Sequence, residues 1–208
     1  MTENKKLIKL IGGEKLSRTF QIRKLYSKEE IKAVIKRAAV IIFNEYFPLF
    51  EKEKERFRLI FIAILTGATR FRNALSTEVG KLFAKRGYYG VIEEDDICVS
   101  TYPIGTELKK PRFLLDTKRE IRGAHVIVVE DIIDTGETIS LVIEHLKKKG
   151  ATSIEIYALV DKTSRRRKKV KIDFVGFEIK EDFWVVGYGM DIDGRYRELP
   201  YIGYIAGK

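Results

Sequence analysis

Short runs of consecutive apolar residues alternate along this chain with stretches in which apolar residues recur every three or four positions. Runs of this length are typical of strands buried on both faces, and the recurring spacing is typical of amphipathic helices. The predicted strands are 59–65, 97–102, 126–129 and 154–160. The predicted helices end before Pro48, at Gly87 and at Gly150. This alternation predicts an α/β fold, in which helices flank a mainly parallel, twisted sheet.

The first helix has a sequence signal for its start and another for its end. Ser27 and Glu30 have the spacing of a capping box, in which each side chain accepts a hydrogen bond from the backbone N–H of the other. Apolar residues then recur at helical spacing as far as Ile42. Proline lacks an N–H and clashes with the preceding turn, so the helix is predicted to end before Pro48. Residues 1–26 are predicted to form an N-terminal extension that contains one short strand.

The remaining segments are assigned by polarity. Residues 103–122 mix charged, apolar and turn-forming positions, which indicates a long loop and a return hairpin. Residues 183–188 and 201–205 are candidates for two further short strands. No internal repeat and no Ser/Gly-rich linker interrupts the chain, and its length suits one sizeable core. We therefore predict one domain over residues 1–208.

Composition excludes several classes of protein. With 45% hydrophobic and 34% charged residues, the chain is expected to fold as an ordinary globular protein rather than stay disordered. No apolar run approaches the roughly 20 residues that span a bilayer, and the first residues lack the apolar core of a signal peptide. The single cysteine, Cys98, cannot form an internal disulfide. These features predict a cytoplasmic protein that does not bind membranes.

The formal net charge of +10 raises the question of an anionic partner. That charge is compatible with nucleic acid, a membrane surface or a phosphorylated small molecule as the partner. Net charge alone does not discriminate among the three. Much of the excess lies in the basic run from Arg165 to Lys171. A solvated loop is the simpler interpretation of this run, and a nucleic-acid-binding stripe is the alternative.

The residues after the strand 126–129 have the chemistry of a phosphate site. Ligands of parallel sheets bind beyond the carboxyl ends of the strands, where Glu130 and Asp131 follow directly. The next polar segment, 134–138, contains one glycine and two threonines and leads into a helix. Free backbone N–H groups and hydroxyls at a helix N-terminus hold phosphate groups well.

The carboxylates in this loop need a separate explanation. Glu130, Asp131 and Asp134 would repel a bare phosphate unless a divalent cation or sugar hydroxyls lay between them. A ribose diol with Mg²⁺ removes the conflict. The alternative is that these acids only cap the following helix and favour its dipole.

The loop matches neither the P-loop nor the Gly-x-Gly-x-x-Gly dinucleotide fingerprint. Residues 126–138 instead resemble the signature of the type I phosphoribosyltransferases, an apolar strand, two acids, two apolar residues and Asp-Thr-Gly-x-Thr. Within that family the carboxyl-terminal half resembles the hypoxanthine-guanine phosphoribosyltransferases, through 158–162, 173–178 and 186–191. The resemblance implies the type I fold, with a small hood built from the chain termini and a purine-binding hood segment at about 162–208.

The resemblance implies a role for each residue of the acidic loop. Glu130 and Asp131 would hold the ribose hydroxyls, with Mg²⁺ between. Asp134 would accept the proton of the purine imidazole nitrogen. The stretch 134–138 would wrap the 5′-phosphate through backbone N–H groups and hydroxyls, and its members after Asp134 are Thr135, Gly136, Glu137 and Thr138.

The purine side of the implied site comes from the carboxyl-terminal half. Lys162 matches the lysine that donates to the exocyclic oxygen of a 6-oxopurine, and an ammonium has only donors, so adenine is not expected as a substrate. Trp184 takes the place of the stacking aromatic residue and Val185 that of a backbone contact to the purine edge. Asp191 matches a metal ligand and Arg197 a pyrophosphate contact. Without the resemblance, Lys162 would be an ordinary loop lysine and residues 183–186 a core strand.

Two further segments have counterparts in the family. Thr66 and Gly67 correspond to the loop that grips pyrophosphate, where Leu-Lys-Gly is common, so Thr66 departs from the pattern. Relatives carry a non-proline cis peptide in this turn, which a sequence cannot reveal. Thr101 and Tyr102 lie where the family has a Ser-Tyr pair on a mobile lid, and such lids exclude water from the reacting centre.

The resemblance implies transfer of a phosphoribosyl group from 5-phosphoribosyl-1-pyrophosphate to hypoxanthine or guanine, with xanthine left open as a third acceptor. The alternative is an RNA-binding regulator that retains this fold, which the net charge motivates. Pyrophosphate transfer onto ribose phosphate is disfavoured, because no nucleotide-binding domain is recognisable in the chain. Relatives are dimers or tetramers, so we expect a homodimer or homotetramer.

Overall fold

The computed structural model describes residues 20–100 and 112–206, which form nine strands and three α-helices. The strands are β1 (Gln21–Tyr26), β2 (Leu59–Ile64), β3 (Ile92–Ser100), β4 (Arg112–Leu115), β5 (His125–Ile133), β6 (Ser153–Lys162), β7 (Phe174–Ile179), β8 (Val185–Val186) and β9 (Ile202–Ala206). The helices are α1 (Lys28–Glu53), α2 (Thr69–Ala84) and α3 (Glu137–Lys148). Within these residues no helix is both long and apolar enough to cross a membrane.

A six-stranded sheet forms the centre of the molecule, in the order β4-β3-β2-β5-β6-β7. All pairs are parallel except β3 with β4, which run antiparallel at one edge. The α/β fold with a mainly parallel sheet is therefore confirmed, and β4 is the returning strand of the predicted hairpin. Because parallel strands end at the same edge, the polar residues that follow β2, β5 and β6 are brought together.

Side chains of the central strand β2 alternate between two hydrophobic cores. Leu59 and Phe61 point to the face covered by α1 and α2, whereas Ile60 and Ile62 point to the face covered by α3. All of β2 is buried, and burial of each large apolar side chain contributes about 1.5–3 kcal/mol. The sheet is therefore a rigid platform for the loops at its carboxyl edge.

A second, antiparallel sheet has the order β1-β9-β8 and combines both ends of the described chain. Gln21 pairs with Ala206 and Val185 with Tyr204. This small sheet is the expected hood. The ring of Phe183, just before β8, stacks on Tyr204 at a centroid distance of 4.3 Å.

The helix α1 starts as predicted and ends later than predicted. The capping box is present, since Ser27 N donates to Glu30 Oε2 at 2.8 Å and Glu30 N donates to Ser27 Oγ at 3.2 Å. The predicted end before Pro48 is wrong, because the helix continues to Glu53. A proline inside a helix costs about 3 kcal/mol. Aromatic packing beyond it offsets this cost, as Phe50 contacts the rings of Phe57, Phe83 and Tyr88.

Several strand boundaries also differ from the prediction. The strand β5 continues through Glu130 and Asp131 to Ile133, so these acids lie within the strand rather than after it. The strand β3 starts at Ile92 rather than Ile97, and β8 contains only two residues. The strand β7 was not predicted from its polarity pattern. It pairs with β6 at the sheet edge, where half-exposed residues weaken the apolar signal.

Candidate active site

Glycines allow three segments to meet at the carboxyl edge of the main sheet. A Cβ atom on Gly67 would lie 1.8 Å from Asp131 Oδ2, and one on Gly189 would lie 2.1 Å from the carbonyl oxygen of Gly67. Gly189 also has φ +108°, which side-chain-bearing residues rarely adopt. The loop after β2, the carboxylate of Asp131 and the turn after β8 are therefore in direct contact. The peptide bond between Leu65 and Thr66 is cis, and the Thr66 side chain is exposed.

Two successive residues near the end of β5, Glu130 and Asp131, carry carboxylates that line the two neighbouring cavities described below. Burial and the neighbouring Asp131 raise the pKa of Glu130 well above its usual value. Burial also raises the pKa of Asp131 to about 6, with Asp191 acting in the same direction and the charge of Arg197 opposing it. Glu130 Oε2 has no hydrogen-bond partner among the described residues. Such a site favours a group that donates hydrogen bonds or carries positive charge.

The predicted phosphate loop lies at the N-terminus of α3. Gly136 is the N-cap residue with φ +83°, and no side chain caps the helix there. The part of the alternative in which the acids cap this helix by hydrogen bonds is therefore wrong. The loop borders a cavity of about 100 Å³, whose polar lining residues are Glu130, Asp134, Thr135, Gly136 and Thr138. Free N–H groups and the positive end of the helix dipole make this cavity attractive to an anion. The side chain of Glu137 points elsewhere, 3.9 Å from Arg167.

A second cavity, of about 160 Å³, lies next to the phosphate loop. Its lining residues include Asp134, Lys162, Trp184 and Asp191. Lys162 is 5% exposed, and its Nζ lies 2.6 Å from Asp182 Oδ1. Trp184 is 54% exposed and lies outside β8, so the interpretation of residues 183–186 as a core strand is wrong for this residue. Val185, also in the lining, is buried in β8.

Asp134 lines both cavities, and its two carboxylate oxygens differ in their contacts. Its Oδ2 lies 3.4 Å from Arg165 Nη1. Its Oδ1 is buried and has no hydrogen-bond partner among the described residues. One oxygen is thus paired with a cation while the other remains available to a ligand.

Hydrogen bonds hold the hood turn that carries Asp191 and Arg197. Arg197 Nη2 lies 2.7 Å from Asp191 Oδ1, and Arg197 Nη1 donates to the carbonyl of Gly189 at 2.6 Å. The indole Nε1 of Trp184 donates to the carbonyl of Asp191 at 2.9 Å. Asp191 is thereby fixed beside the second cavity. Among residues 20–100 and 112–206, no three His, Cys, Asp or Glu side chains come together as ligands of a metal.

The structure adds residues that the sequence pattern did not single out. Arg70 Nη1 donates to the carbonyls of residues 197, 198 and 199, and its guanidinium lies 4.5 Å from the centre of the Tyr188 ring. Asp182 pairs with Lys162, and Arg165 pairs with Asp134. All three act across long sequence separations, and no local motif marks them. Thr101 and Tyr102, the predicted lid residues, lie outside the described residues.

Comparison with known proteins agrees with the motif. The sequence profile of the phosphoribosyl transferase domain matches residues 21–193. The chain is 35% identical to the hypoxanthine-guanine phosphoribosyltransferase of Bacillus subtilis (87% of this chain, 91% of that one). It is 38% identical to the hypoxanthine phosphoribosyltransferase of Escherichia coli (71% of this chain, 78% of that one). A solved structure of the Trypanosoma cruzi hypoxanthine phosphoribosyl transferase superimposes with a TM-score of 0.77 at 30% identity, covering 91% of this chain and 93% of that one. The chain belongs to the type I phosphoribosyltransferase family, on its hypoxanthine-guanine phosphoribosyltransferase branch.

Proposed function

We propose that the protein transfers the phosphoribosyl group of 5-phosphoribosyl-1-pyrophosphate to hypoxanthine or guanine, giving inosine or guanosine monophosphate and pyrophosphate. This reaction salvages purine bases. The observation that carries the proposal is that Asp134 lines both cavities, with the phosphate loop on one side and Lys162 on the other. A base and a ribose phosphate bound in these cavities would meet beside its free Oδ1.

The phosphate loop would bind the 5′-phosphate through the backbone N–H groups of Thr135, Gly136 and Glu137 and the hydroxyls of Thr135 and Thr138. The N-cap residue Gly136 has no capping side chain, and Glu137 N donates to Thr135 Oγ1 only at a long 3.4 Å, so these donors can bind a phosphate. Glu130 and Asp131 would accept hydrogen bonds from the ribose hydroxyls. The partnerless Glu130 Oε2 supports this assignment, because a buried acceptor without a donor costs about 1–3 kcal/mol.

The carboxylates also fit Mg²⁺, with Glu130, Asp131 and Asp191 as candidate ligands. Magnesium usually takes one or two carboxylates together with water and substrate phosphate oxygens, so a site made only of protein ligands is not required. Burial raises the pKa values of Glu130 and Asp131, and a bound cation would favour their charged forms. When bound with the substrate, the ion would neutralise the pyrophosphate leaving group.

Lys162 would select the purine. Its buried ammonium donates only, so it favours the exocyclic oxygen of a 6-oxopurine over the amino group of adenine. Asp182 pairs with the ammonium at 2.6 Å and holds it in place. The exposed indole face of Trp184 would stack on the base, and the backbone of Val185 would contact its edge.

In the reaction, the bond from C1′ of the ribose to pyrophosphate breaks and a bond to the purine imidazole nitrogen forms. Asp134 Oδ1 would hold the proton of the imidazole ring as the purine becomes nucleophilic. Thr66 supplies no cation, unlike the lysine that is common at this position. Pyrophosphate would therefore be bound by Arg197 and by the backbone N–H groups of Thr66 and Gly67. Thr101 and Tyr102 would act as the lid that excludes water.

The proposal is tested by a spectrophotometric screen of hypoxanthine, guanine, xanthine, adenine and orotate with the pyrophosphate donor and Mg²⁺. We expect turnover with hypoxanthine and guanine, much slower turnover with adenine and none with orotate. Absence of turnover with every base would refute the proposal. An RNA-binding regulator, the alternative from composition, is not supported by the relatives reported above.

Two further expectations belong to the proposal. We propose that the protein acts in the cytoplasm and that it self-associates as a homodimer or homotetramer. A study of the T. cruzi enzyme addresses the effect of its C-terminal region on oligomeric state, and the C-terminal strand β9 of this chain belongs to the hood. Sedimentation equilibrium tests the oligomer, and a single species with the monomer mass of 24.1 kDa would contradict it.

A further inference from the structure

The basic run contains one arginine that faces inward. The side chain of Arg166 is 19% exposed, whereas those of Arg165 and Arg167 are 45% and 70% exposed. Its Nε donates to the carbonyl of Asp134 at 3.0 Å, and its Nη2 donates to the carbonyl of Ile133 at 3.2 Å. Nη2 also pairs with the carboxylate of Asp161, at the end of β6. The interpretation of the run as a solvated loop is therefore wrong at Arg166.

The backbone after Arg166 contacts the same loop. The N–H groups of Arg167 and Lys168 both donate to the carbonyl of Thr135, at 2.9 Å each. A Cβ atom on Gly136 would lie 2.8 Å from the carbonyl oxygen of Lys168, so only glycine fits against this backbone. We name residues 165–168 the basic segment. It occupies one side of the phosphate loop and donates to three consecutive loop carbonyls.

These contacts fix the direction of the loop N–H groups. In a trans peptide unit the C=O and N–H bonds point in opposite directions. The units that join residues 133 to 136 are trans, and their carbonyls all point to the basic segment. The N–H groups of Asp134, Thr135 and Gly136 therefore point to the opposite side. Successive N–H groups in such a loop form a site for an anion.

We propose that Arg166 is a positioning residue for the substrate 5′-phosphate. It acts through the loop backbone, because its guanidinium is bound to loop carbonyls and to Asp161 rather than aimed at the ligand. The inference rests on the proposed function and assigns one member of the basic run to that site. A lysine would keep the charge at this position but lacks the planar fork that reaches several acceptors.

The test compares Arg166→Ala, Arg166→Lys and a control, Lys169→Ala, which removes an exposed cation outside the basic segment. Steady-state kinetics with each substrate varied give the KM values for the pyrophosphate donor and for hypoxanthine. Calorimetry gives the affinities for inosine monophosphate and for inosine, which lacks the phosphate. Circular dichroism reports whether each variant is folded.

We expect Arg166→Ala to raise the KM for the donor about 10- to 100-fold and to weaken inosine monophosphate binding by a similar factor. The KM for hypoxanthine and the affinity for inosine should change less than about threefold. Arg166→Lys should fall between wild type and Arg166→Ala, and Lys169→Ala should match wild type.

Equal losses for inosine and its monophosphate, or unchanged values for both, would overturn the inference. If Arg166→Ala does not fold, the same criterion applies to Arg166→Lys. Wild-type protein without turnover on any base would refute the proposed function instead. The two failures are therefore distinguishable.

Discussion

Replacement of Lys162 by methionine should remove the preference for 6-oxopurines while the fold remains. Methionine has a volume similar to that of lysine. The Lys162 side chain is 7% exposed, so a methionine side chain should pack against the same neighbours as the lysine stem. Asp182, the partner that loses its cation, is 63% exposed and returns to water. The variant therefore leaves no buried charge unpaired.

The lost interaction is one hydrogen bond from an ammonium to the purine oxygen. Hydrogen bonds to charged groups are worth about 1.5–3 kcal/mol. At about 1.4 kcal/mol for each factor of ten, kcat/KM for hypoxanthine should fall about 10- to 150-fold. The KM for the pyrophosphate donor should stay within about threefold, because Lys162 lines the purine cavity and not the phosphate cavity.

The assay is the rate of nucleotide formation with hypoxanthine or adenine at saturating donor, with Lys169→Met as the control for lost positive charge. The ratio of hypoxanthine to adenine turnover should fall in Lys162→Met and stay constant in the control. An unchanged ratio would refute the assignment of Lys162, and an equal loss for the donor would indicate a structural defect instead.

Three other changes test separate parts of the account. Asp134→Asn should lower kcat about 10²- to 10⁴-fold while both substrates still bind. Full activity of this variant would refute the assignment of Asp134 as the general base. Gly67→Ala places a methyl group 1.8 Å from Asp131 Oδ2 and should lower kcat/KM for the donor at least about tenfold. Gly80→Ala on α2 should not, because its methyl group would make an ordinary contact with Ile92 Cδ1 at 3.7 Å. Burial raises the pKa of Glu155 to about 7, so the folded protein binds its proton more tightly than the unfolded chain and loses stability as pH rises from about 4.5 to 7. Glu155→Gln should therefore gain about 1–2 kcal/mol at pH 8 and little at pH 4 in urea unfolding, and an equal gain at both pH values would contradict this sign.

Local sequence was enough to predict the parts of the fold that depend on nearest neighbours. The capping box at Ser27 and the helix start within 134–138 are predicted from adjacent residues, and both form as expected. The end of α1 could not be read locally, because Phe50 packs on rings from three later segments. The edge strand β7 was missed for a similar reason. Its formation depends on pairing with β6 rather than on its own polarity pattern.

The residues of the candidate site likewise include some that local sequence predicts and some that it does not. The motif and the family resemblance predicted Lys162, Trp184 and the acids, and the structure brings them to the two adjacent cavities. Arg165 and Arg166 contact a loop about 30 residues earlier in the chain, and a run of basic residues does not reveal which member turns inward. Such residues are found only when the three-dimensional contacts are known.

We propose that one site joins a 6-oxopurine to a phosphoribosyl group. The most direct test is to incubate the protein with hypoxanthine, 5-phosphoribosyl-1-pyrophosphate and Mg²⁺ and to quantify both products by chromatography. We expect inosine monophosphate and pyrophosphate in equal amounts, and no product when either substrate is omitted. Consumption of the donor without nucleotide, or no reaction with hypoxanthine, would contradict this expectation.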